Sequence, residues 1–340
     1  MIDVPPLPDD AAAFLTECVG EGWTARALAG DASVRRYFRV TLPDRSTRVL
    51  AYYPLEVRAQ LGTFLDAYHA VAPHGRVPEV LRYSDAAVLQ RDVGDRTLFD
   101  LLHDDRQEGV RLYREAIDAL VAFQRATPGS INPPFSAEFF AGELEMTRQF
   151  YVDKVMGVPP EASARLVPVF RRLASNITRH PYTLCHRDYH GQNIHVVDGT
   201  LFLIDYQDLR QGPDTYDLAS LLRDRGVARI LDEATEMELL DYYGALRGAD
   251  PGLRLRYFET LLQRSIKILG TWAKMPIVRG RLHYLEFIEP ALEGVRRAIG
   301  ELHDFEELRR DFPLDFSLDA ARERVKGLLH GSTPNHAAAR

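Results

Sequence analysis

Apolar and polar positions follow two different rhythms along this chain. Up to about Gln90, short apolar runs are separated by turn chemistry. Residues 24–28, 36–42 and 47–53 read as strands, with Gly30-Asp31-Ala32-Ser33 and Pro43-Asp44-Arg45-Ser46 as turns between them. A helix is predicted over 10–19, capped by Asp9 or Asp10. Val57, Leu61, Phe64, Leu65, Tyr68 and Val71 fall at helical spacing and predict a helix with one apolar face. Strands over 77–83 and 87–90 complete a sheet. After Thr97 the rhythm turns helical, with predicted helices over 98–103, 108–125, 137–156, 161–179, 215–224, 234–246, 252–272, 282–302 and 318–329. The polar stretch 331–340 reads as a frayed tail. No internal repeat, heptad pattern or low-complexity block interrupts this order.

One segment breaks the helical rhythm. The apolar run 182–185 leads into a polar loop, His186 to Gln192. Two apolar runs, 194–197 and 201–204, then flank Asp198-Gly199, a strong short-range hairpin signal. Asn193 stands at the mouth of one strand and Asp205 at the exit of its partner, so the hairpin brings both to one end of a rigid ribbon. The pattern is His186-x-Asp188-x-x-x-x-Asn193, then Asp205. Phosphoryl transfer from ATP uses such a set: one Asp orients the attacking hydroxyl and takes its proton, while an Asn and a second Asp hold magnesium on the phosphates. Asp188 is the candidate catalytic base, and Asn193 and Asp205 are the candidate metal ligands. Taken singly, each would be an ordinary turn residue or helix cap; their arrangement gives them a common purpose. His186 reads as a group that bonds the loop backbone, Arg187 as a brace paired with a carboxylate, and Cys185 as core packing.

Composition narrows the reading. A length of 340 residues is long for one core and comfortable for two lobes. Hydrophobic content of 46% and charged content of 27% are ordinary for a globular protein. A net charge of −7 gives no general affinity for nucleic acid or an acidic membrane. Cys18 and Cys185 have neither disulfide-framework nor zinc-ligand spacing, as expected in a reducing compartment. No signal peptide or membrane-spanning run is read, so a cytoplasmic location is expected. Lysine occurs only at Lys154, Lys267, Lys274 and Lys326.

Three strands, a helix and two strands followed by a helix-rich remainder match the order of a kinase fold. The expected class is α+β and two-lobed. The small N-lobe carries an antiparallel sheet and one or two helices, and the larger, mostly helical C-lobe carries a catalytic β-hairpin. The expected division is 1–89 for the nucleotide-binding sheet, 90–95 for a hinge and 96–330 for the C-lobe. That order, His186 to Asn193, and Ile204-Asp205-Tyr206-Gln207-Asp208 followed by Gly212-Pro213-x-x-Tyr216-Asp217-Leu218 resemble the aminoglycoside phosphotransferase and choline kinase family. A narrower likeness lies in the stretch Gly30 to Arg39, in Tyr216 to Asp224 and in Leu262 to Gly270. These resemble the anomeric sugar kinases of cell-wall recycling, which phosphorylate N-acetylmuramate and N-acetylglucosamine at the C1 hydroxyl. The resemblance implies ATP as donor and Mg2+ as cofactor. It implies Asp188 as base, Asn193 and Asp205 as metal ligands, and Asp217 as a brace of the catalytic loop through Arg187 or backbone amides.

The third strand departs from the usual kinase pattern, because no lysine precedes Lys154. Arg36 or Arg48 can offset phosphate charge instead, helped by Ser33 and the backbone of its turn; each arginine also fits a solvated strand position. Adenine is expected on the backbone around Gln90, Asp92 and Val93. The segment from Asp205 to Asp217 is short and no Ala-Pro-Glu follows, which disfavours a protein acceptor. Asp315, Asp319 and Glu323 are mixed with Arg322, Arg324 and Lys326, which is no basket for a polycationic antibiotic. A choline kinase would need an aromatic cage. A neutral or anionic sugar fits better. Glu145, Arg148, Tyr189, His190, Gln207 and Asp208 are its candidate contacts, with Arg264 and Lys267 in the same group. For Glu145 and Arg148 a solvated helix face is the competing and more ordinary reading. No protein partner is expected, and a catalytically weak nucleotide-binding module is the non-enzyme alternative.

Overall fold

The computed structural model describes residues 6–28, 34–127, 131–224, 226–248 and 250–331. The predicted turn 30–33, Ser33 with it, and the tail beyond Gly331 lie outside them. In chain order the elements begin with α1 (Asp9–Val19), β1 (Thr24–Ala27), β2 (Arg36–Thr41), β3 (Thr47–Tyr52), α2 (Ala59–Val71), β4 (Val80–Tyr83) and β5 (Ala87–Arg91). Next come α3 (Leu98–Asp104), α4 (Arg106–Phe123), α5 (Ala137–Thr147), α6 (Pro160–Ala164), α7 (Leu166–Ile177), β6 (Tyr182–Cys185), β7 (Ile194–Val197) and β8 (Thr200–Leu203). The chain closes with β9 (Arg210–Pro213), α8 (Tyr216–Arg223), α9 (Glu233–Arg247), α10 (Leu253–Arg279), α11 (Ile288–Glu301), α12 (Glu306–Asp311) and α13 (Leu318–Gly331).

These elements form two compact units. One takes the chain to Asn132 together with Gly191–Arg210; the other takes Pro133–His190 and the chain from Gln211 onward. In the first, five antiparallel strands lie in the order β1-β2-β3-β5-β4. Inward positions alternate on β2, where Phe38 and Val40 are buried, and continue through Leu50 and Leu89 on the two interior strands. Ala11 and Leu15 of α1 complete that core. The apolar face of α2 is Leu61, Phe64, Ala67 and Val71. A capping box starts α3: the Asp100 amide donates to Thr97 Oγ1, and the Thr97 amide donates to the Asp100 carboxylate. Gly109 lets α4 cross α3 closely, since a Cβ there would stand 2.4 Å from Leu102 Cα.

The β7–β8 hairpin belongs to this first unit. Asp198 and Gly199 both take positive φ, 49° and 73°, the turn that Asp-Gly favours. Both outer edges are covered: the Val196 amide donates to the Arg96 carbonyl and the Leu203 amide to the Arg76 carbonyl, each within 2.9 Å.

In the second unit α10 is the axis, buried along most of its length. Gly270 brings it against α5, where Thr147 Oγ1 donates to the Ile266 carbonyl at 2.7 Å. Strands β6 and β9 pair with each other. Tertiary contacts alter several predicted helices. The helix predicted over 137–156 is α-helical only to Thr147 and then winds as a π-helix through Val155, which carries the Tyr151 hydroxyl onto the Pro313 carbonyl. The helix predicted over 161–179 divides at Arg165, because Pro168 suits the first turn of a new helix and cannot donate within an old one. Helix α10 runs past 272 to Arg279 in spite of Pro276. Residues 282–287 form a 3-10 turn ahead of α11, and the short elements β9 and α12 had no sequence signal. Among the described residues, no helix is long and apolar enough to cross a membrane.

Candidate active site

The loop after β6 is built by the second unit. Asp217, buried in the first turn of α8, accepts the His186 amide at 2.6 Å and the Arg187 amide at 2.9 Å. Burial pushes the Asp217 carboxyl up, against the pull of His186 and the two amides. Arg187 is held at φ +82°, a conformation that costs energy in a side-chain-bearing residue. Arg187 therefore meets Asp217 through its backbone, and its guanidinium lies 5.9 Å from the Phe135 ring centroid. The Asp188 amide donates to His186 Nδ1 at 3.2 Å, and the His190 amide to the Asp188 carbonyl at 3.0 Å.

Arg264 of α10 holds the same loop from below. Its Nη1 donates to the Arg187 carbonyl at 3.1 Å, and its Nη2 bonds Ser220 Oγ and the Asp224 carboxylate. The guanidinium also faces the Tyr216 ring at 4.3 Å. Arg264 is thus an interior brace, buried to 1% exposure, rather than a group presented to an acceptor. Burial pushes the Asp188 carboxyl up, but the charges of Lys267 and Arg264, then His186 and His190, outweigh it and hold Asp188 below the usual carboxylate range. A carboxylate kept ionised in a mostly buried loop suits a group that accepts a proton. Tyr189 and His190 are buried, Tyr189 edge-on to His186 at 6.0 Å. Glu145 and Arg148 pair with each other at 2.6 Å, and Arg148 also reaches Asp153 and Ser163, which ties the π-helical stretch to α6.

The metal-ligand candidates belong to the first unit. Gly191 opens the turn before β7; a Cβ there would stand 2.9 Å from the Tyr113 hydroxyl and 3.0 Å from the Phe99 amide. The Asn193 carbonyl accepts the Ile204 amide at 3.0 Å, which fixes Asn193 beside the exit of β8. Asp205 follows at φ +62°. Its Oδ1 accepts Gln207 Nε2 at 2.9 Å and Arg35 Nη2 at 3.5 Å. Asp208 is exposed in the next turn. Magnesium takes oxygen ligands and commonly has one or two from protein, the rest from phosphates and water. The Asn193 amide and Asp205 carboxylate, at one end of the hairpin, fit that donor set. Among the described residues no group of three or more His, Cys, Asp or Glu forms a cage that would hold the ion alone.

The other nucleotide candidates lie on or beside the sheet. Arg36 stands opposite Tyr52 at the start of β2, and Arg48 on β3 donates to its neighbour's carbonyl, Thr47 O, at 2.7 Å. Gln90 and Val93 are buried. Burial raises the Asp92 carboxyl, but Arg39 and the Gly94 amide outweigh it and hold it low. Arg39 donates to Asp92 at 2.6 and 3.1 Å and to Asp95 at 2.6 and 2.8 Å, so one guanidinium clamps both ends of the segment 92–95. Sequence reasoning passed over Arg35 and Arg39, although both lie in the stretch Gly30 to Arg39 that carried the narrower resemblance. A cavity of about 290 Å³ lined by Arg223, Asp232, Glu293 and Arg297 contains none of the candidate residues, and Glu236 already pairs both of its arginines.

The family model described as the phosphotransferase enzyme family matches residues 24–258 of this chain. The chain belongs to that family. The phosphotransferase is 27% identical over 308 residues to the N-acetylmuramate/N-acetylglucosamine kinase of Pseudomonas aeruginosa, covering 85% of this chain and 90% of that one. The kinase of the same name from Neisseria meningitidis is 28% identical over 285 residues, covering 79% and 84%. Among solved structures it resembles the ADP-bound aminoglycoside phosphotransferase APH(2'')-Ib, with a TM-score of 0.62 and 14% identity over 86% of this chain and 99% of that one. It also resembles a choline/ethanolamine kinase family protein from Mesorhizobium loti, with a TM-score of 0.60 and 16% identity over 93% and 99%. These likenesses show the fold: the expected α+β, kinase-like architecture of antiparallel sheet and mostly helical remainder.

Proposed function

We propose that this phosphotransferase moves the γ-phosphate of ATP to a sugar hydroxyl, and that the acceptor is the anomeric C1 hydroxyl of N-acetylmuramate, N-acetylglucosamine or a related amino sugar. The observation that carries the transfer chemistry is Asp188: a loop carboxylate held ionised by Lys267 and Arg264 while Asp217 fixes the loop's backbone. Asp188 accepts a hydrogen bond from the acceptor hydroxyl, orients it in line with the phosphorus, and takes its proton as the new P–O bond forms and the bond to ADP breaks. Asn193 and Asp205 would hold the magnesium ion, which supplies charge neutralisation on the phosphates. Gln207 keeps Asp205 oriented through its 2.9 Å bond. Adenine would lie on the backbone of residues 90–93, the proposed hinge, beside which Arg39 clamps Asp92 and Asp95.

The sugar reading rests on the relatives named as N-acetylmuramate/N-acetylglucosamine kinases and on the charge around Asp188. Lys267 and Arg264 place positive charge at the catalytic loop, which disfavours a polycationic antibiotic and tolerates a carboxylate-bearing sugar. Tyr189, His190, Asp208, Glu145 and Arg148 remain candidates for shaping the acceptor site, and Ser33, Arg36 and Arg48 for contacting the nucleotide. An ADP-release screen over N-acetylmuramate, N-acetylglucosamine, glucosamine, hexoses, choline and kanamycin tests the proposal, with phosphorus NMR locating the phosphate. Turnover of kanamycin with none of any sugar would sink it. Nucleotide binding without transfer to any acceptor would favour a binding module.

A further inference from the structure

The third strand lacks the lysine that kinases place there, yet a cation stands at the metal-ligand end of the hairpin. Arg35 lies just ahead of β2, with only 12% of its side chain exposed. Its Nη2 is 3.5 Å from Asp205 Oδ1, and its guanidinium is 5.9 Å from the Tyr37 ring centroid and bonds the Tyr53 hydroxyl. Tyr53 directly follows β3 and is buried. Its ring stands 6.5 Å from Phe64 of α2, and Phe64 stacks at 5.3 Å on Tyr206, the residue after Asp205. In protein kinases an ion pair between the third-strand lysine and a helix glutamate joins these elements. Here the sole acidic residue of α2 is Asp66, and the joint is aromatic.

We propose that Arg35 is the nucleotide-sensing cation of this phosphotransferase: it exchanges its contact with Asp205 for the nucleotide's phosphate oxygens when Asp205 takes up magnesium. Three features support the exchange. The contact to Asp205 is long and meets a carboxylate that is 42% exposed, so little is lost on breaking it. Tyr53 and Tyr37 stand against the guanidinium and hold it beside Asp205. An arginine fork offers two parallel donors to a phosphate, which the lysine it replaces does not.

The inference rests on Asp205 being a metal ligand, so its test reads binding as well as turnover. The affinity for ADP, with and without magnesium, is measured by calorimetry for the wild type, Arg35→Gln and Arg35→Lys. The expected result is a loss of about tenfold or more in Mg-ADP affinity for Arg35→Gln, partial recovery in Arg35→Lys, and less than about threefold change in metal-free ADP binding. KM for ATP rises while KM for the sugar stays within about threefold. Mg-ADP affinity of Arg35→Gln within twofold of wild type overturns the role of Arg35, and equal loss with and without magnesium overturns the exchange. Failure of the wild type to bind Mg-ADP at all overturns the reading of Asp205 instead. Should Arg35→Gln not fold, Tyr53→Phe removes the phenol that holds Arg35 and keeps the ring. It is expected to weaken Mg-ADP by about threefold or more, and wild-type affinity in that variant counts against the proposal.

Discussion

Removing the Asp217 carboxylate is expected to damage the enzyme twice, once in stability and once in turnover. Asp217→Ala leaves the His186 and Arg187 amides, now bonded at 2.6 and 2.9 Å, without an acceptor in the interior. A hydrogen bond to a charged group is worth about 1.5–3 kcal/mol, so the two together set a cost of about 3–6 kcal/mol if the loop keeps its place. That is a large share of the roughly 5–15 kcal/mol that holds a domain together. The loop has a way to escape part of the cost, because Arg187 is held at φ +82° and relaxes once released. Such relaxation moves Asp188, the next residue, and a displacement of about 1 Å at a reacting group lowers turnover by about a hundredfold. Urea unfolding monitored by circular dichroism measures the first effect, and a coupled ADP-release assay at saturating substrates the second. Asp217→Asn keeps one acceptor oxygen and should fall between wild type and Asp217→Ala on both axes. Stability of Asp217→Ala within about 1 kcal/mol of wild type, together with kcat within threefold, would refute the reasoning.

Other expectations follow from the same geometry. Asp188→Ala should lower kcat by about a hundredfold or more with an unchanged circular dichroism spectrum; retention of near-normal kinase activity would remove Asp188 from the mechanism. Because the folded Asp188 carboxyl lies below its ordinary range, its contribution to stability is present above that range and lost as pH falls through the folded value. The acid limb of kcat/KM should therefore lie below the ordinary carboxylate range, and a limb near neutrality would contradict it. Arg264→Met leaves Asp224 charged and unpaired in the interior and should cost about 3–5 kcal/mol by denaturant titration. Much of that should return in the Arg264→Met, Asp224→Asn double variant; equal loss in both would mean that packing, not charge, sets the cost. Gly109→Ala forces a Cβ to 2.4 Å from Leu102 Cα and should destabilise by about 1–3 kcal/mol, whereas a raised melting temperature would show that α3 and α4 separate freely.

Local chemistry made much of this molecule legible. The Asp198-Gly199 turn needs only its own two residues and their flanking apolar runs, and it carried Asn193 and Asp205 to the same end of the hairpin. The succession of strands in the first unit followed from turn residues and alternation. Features set by distant partners were hidden. The switch to π-helix at Arg148 accompanies the reach of Tyr151 to Pro313, far along the chain. Arg264 read as a candidate acceptor contact, and only the packing of α8 shows that Ser220 and Asp224 hold it inside. Arg35 and Arg39 sat in plain view, but which carboxylate each meets depends on the register of β2 and the exit of β8. The acceptor leaves the weakest trace of all, because a hydroxyl to be phosphorylated demands little beyond Asp188 from the residues around it.

Phosphorus NMR of the product formed from N-acetylmuramate and ATP, with Asp188→Ala run beside the wild type, tests the central claim most directly. The expected product is a sugar 1-phosphate, shown by coupling of phosphorus to the anomeric proton, which is absent or reduced by about a hundredfold or more in the variant. A product phosphorylated elsewhere on the sugar would contradict the anomeric assignment, and wild-type yield from Asp188→Ala would contradict the site itself.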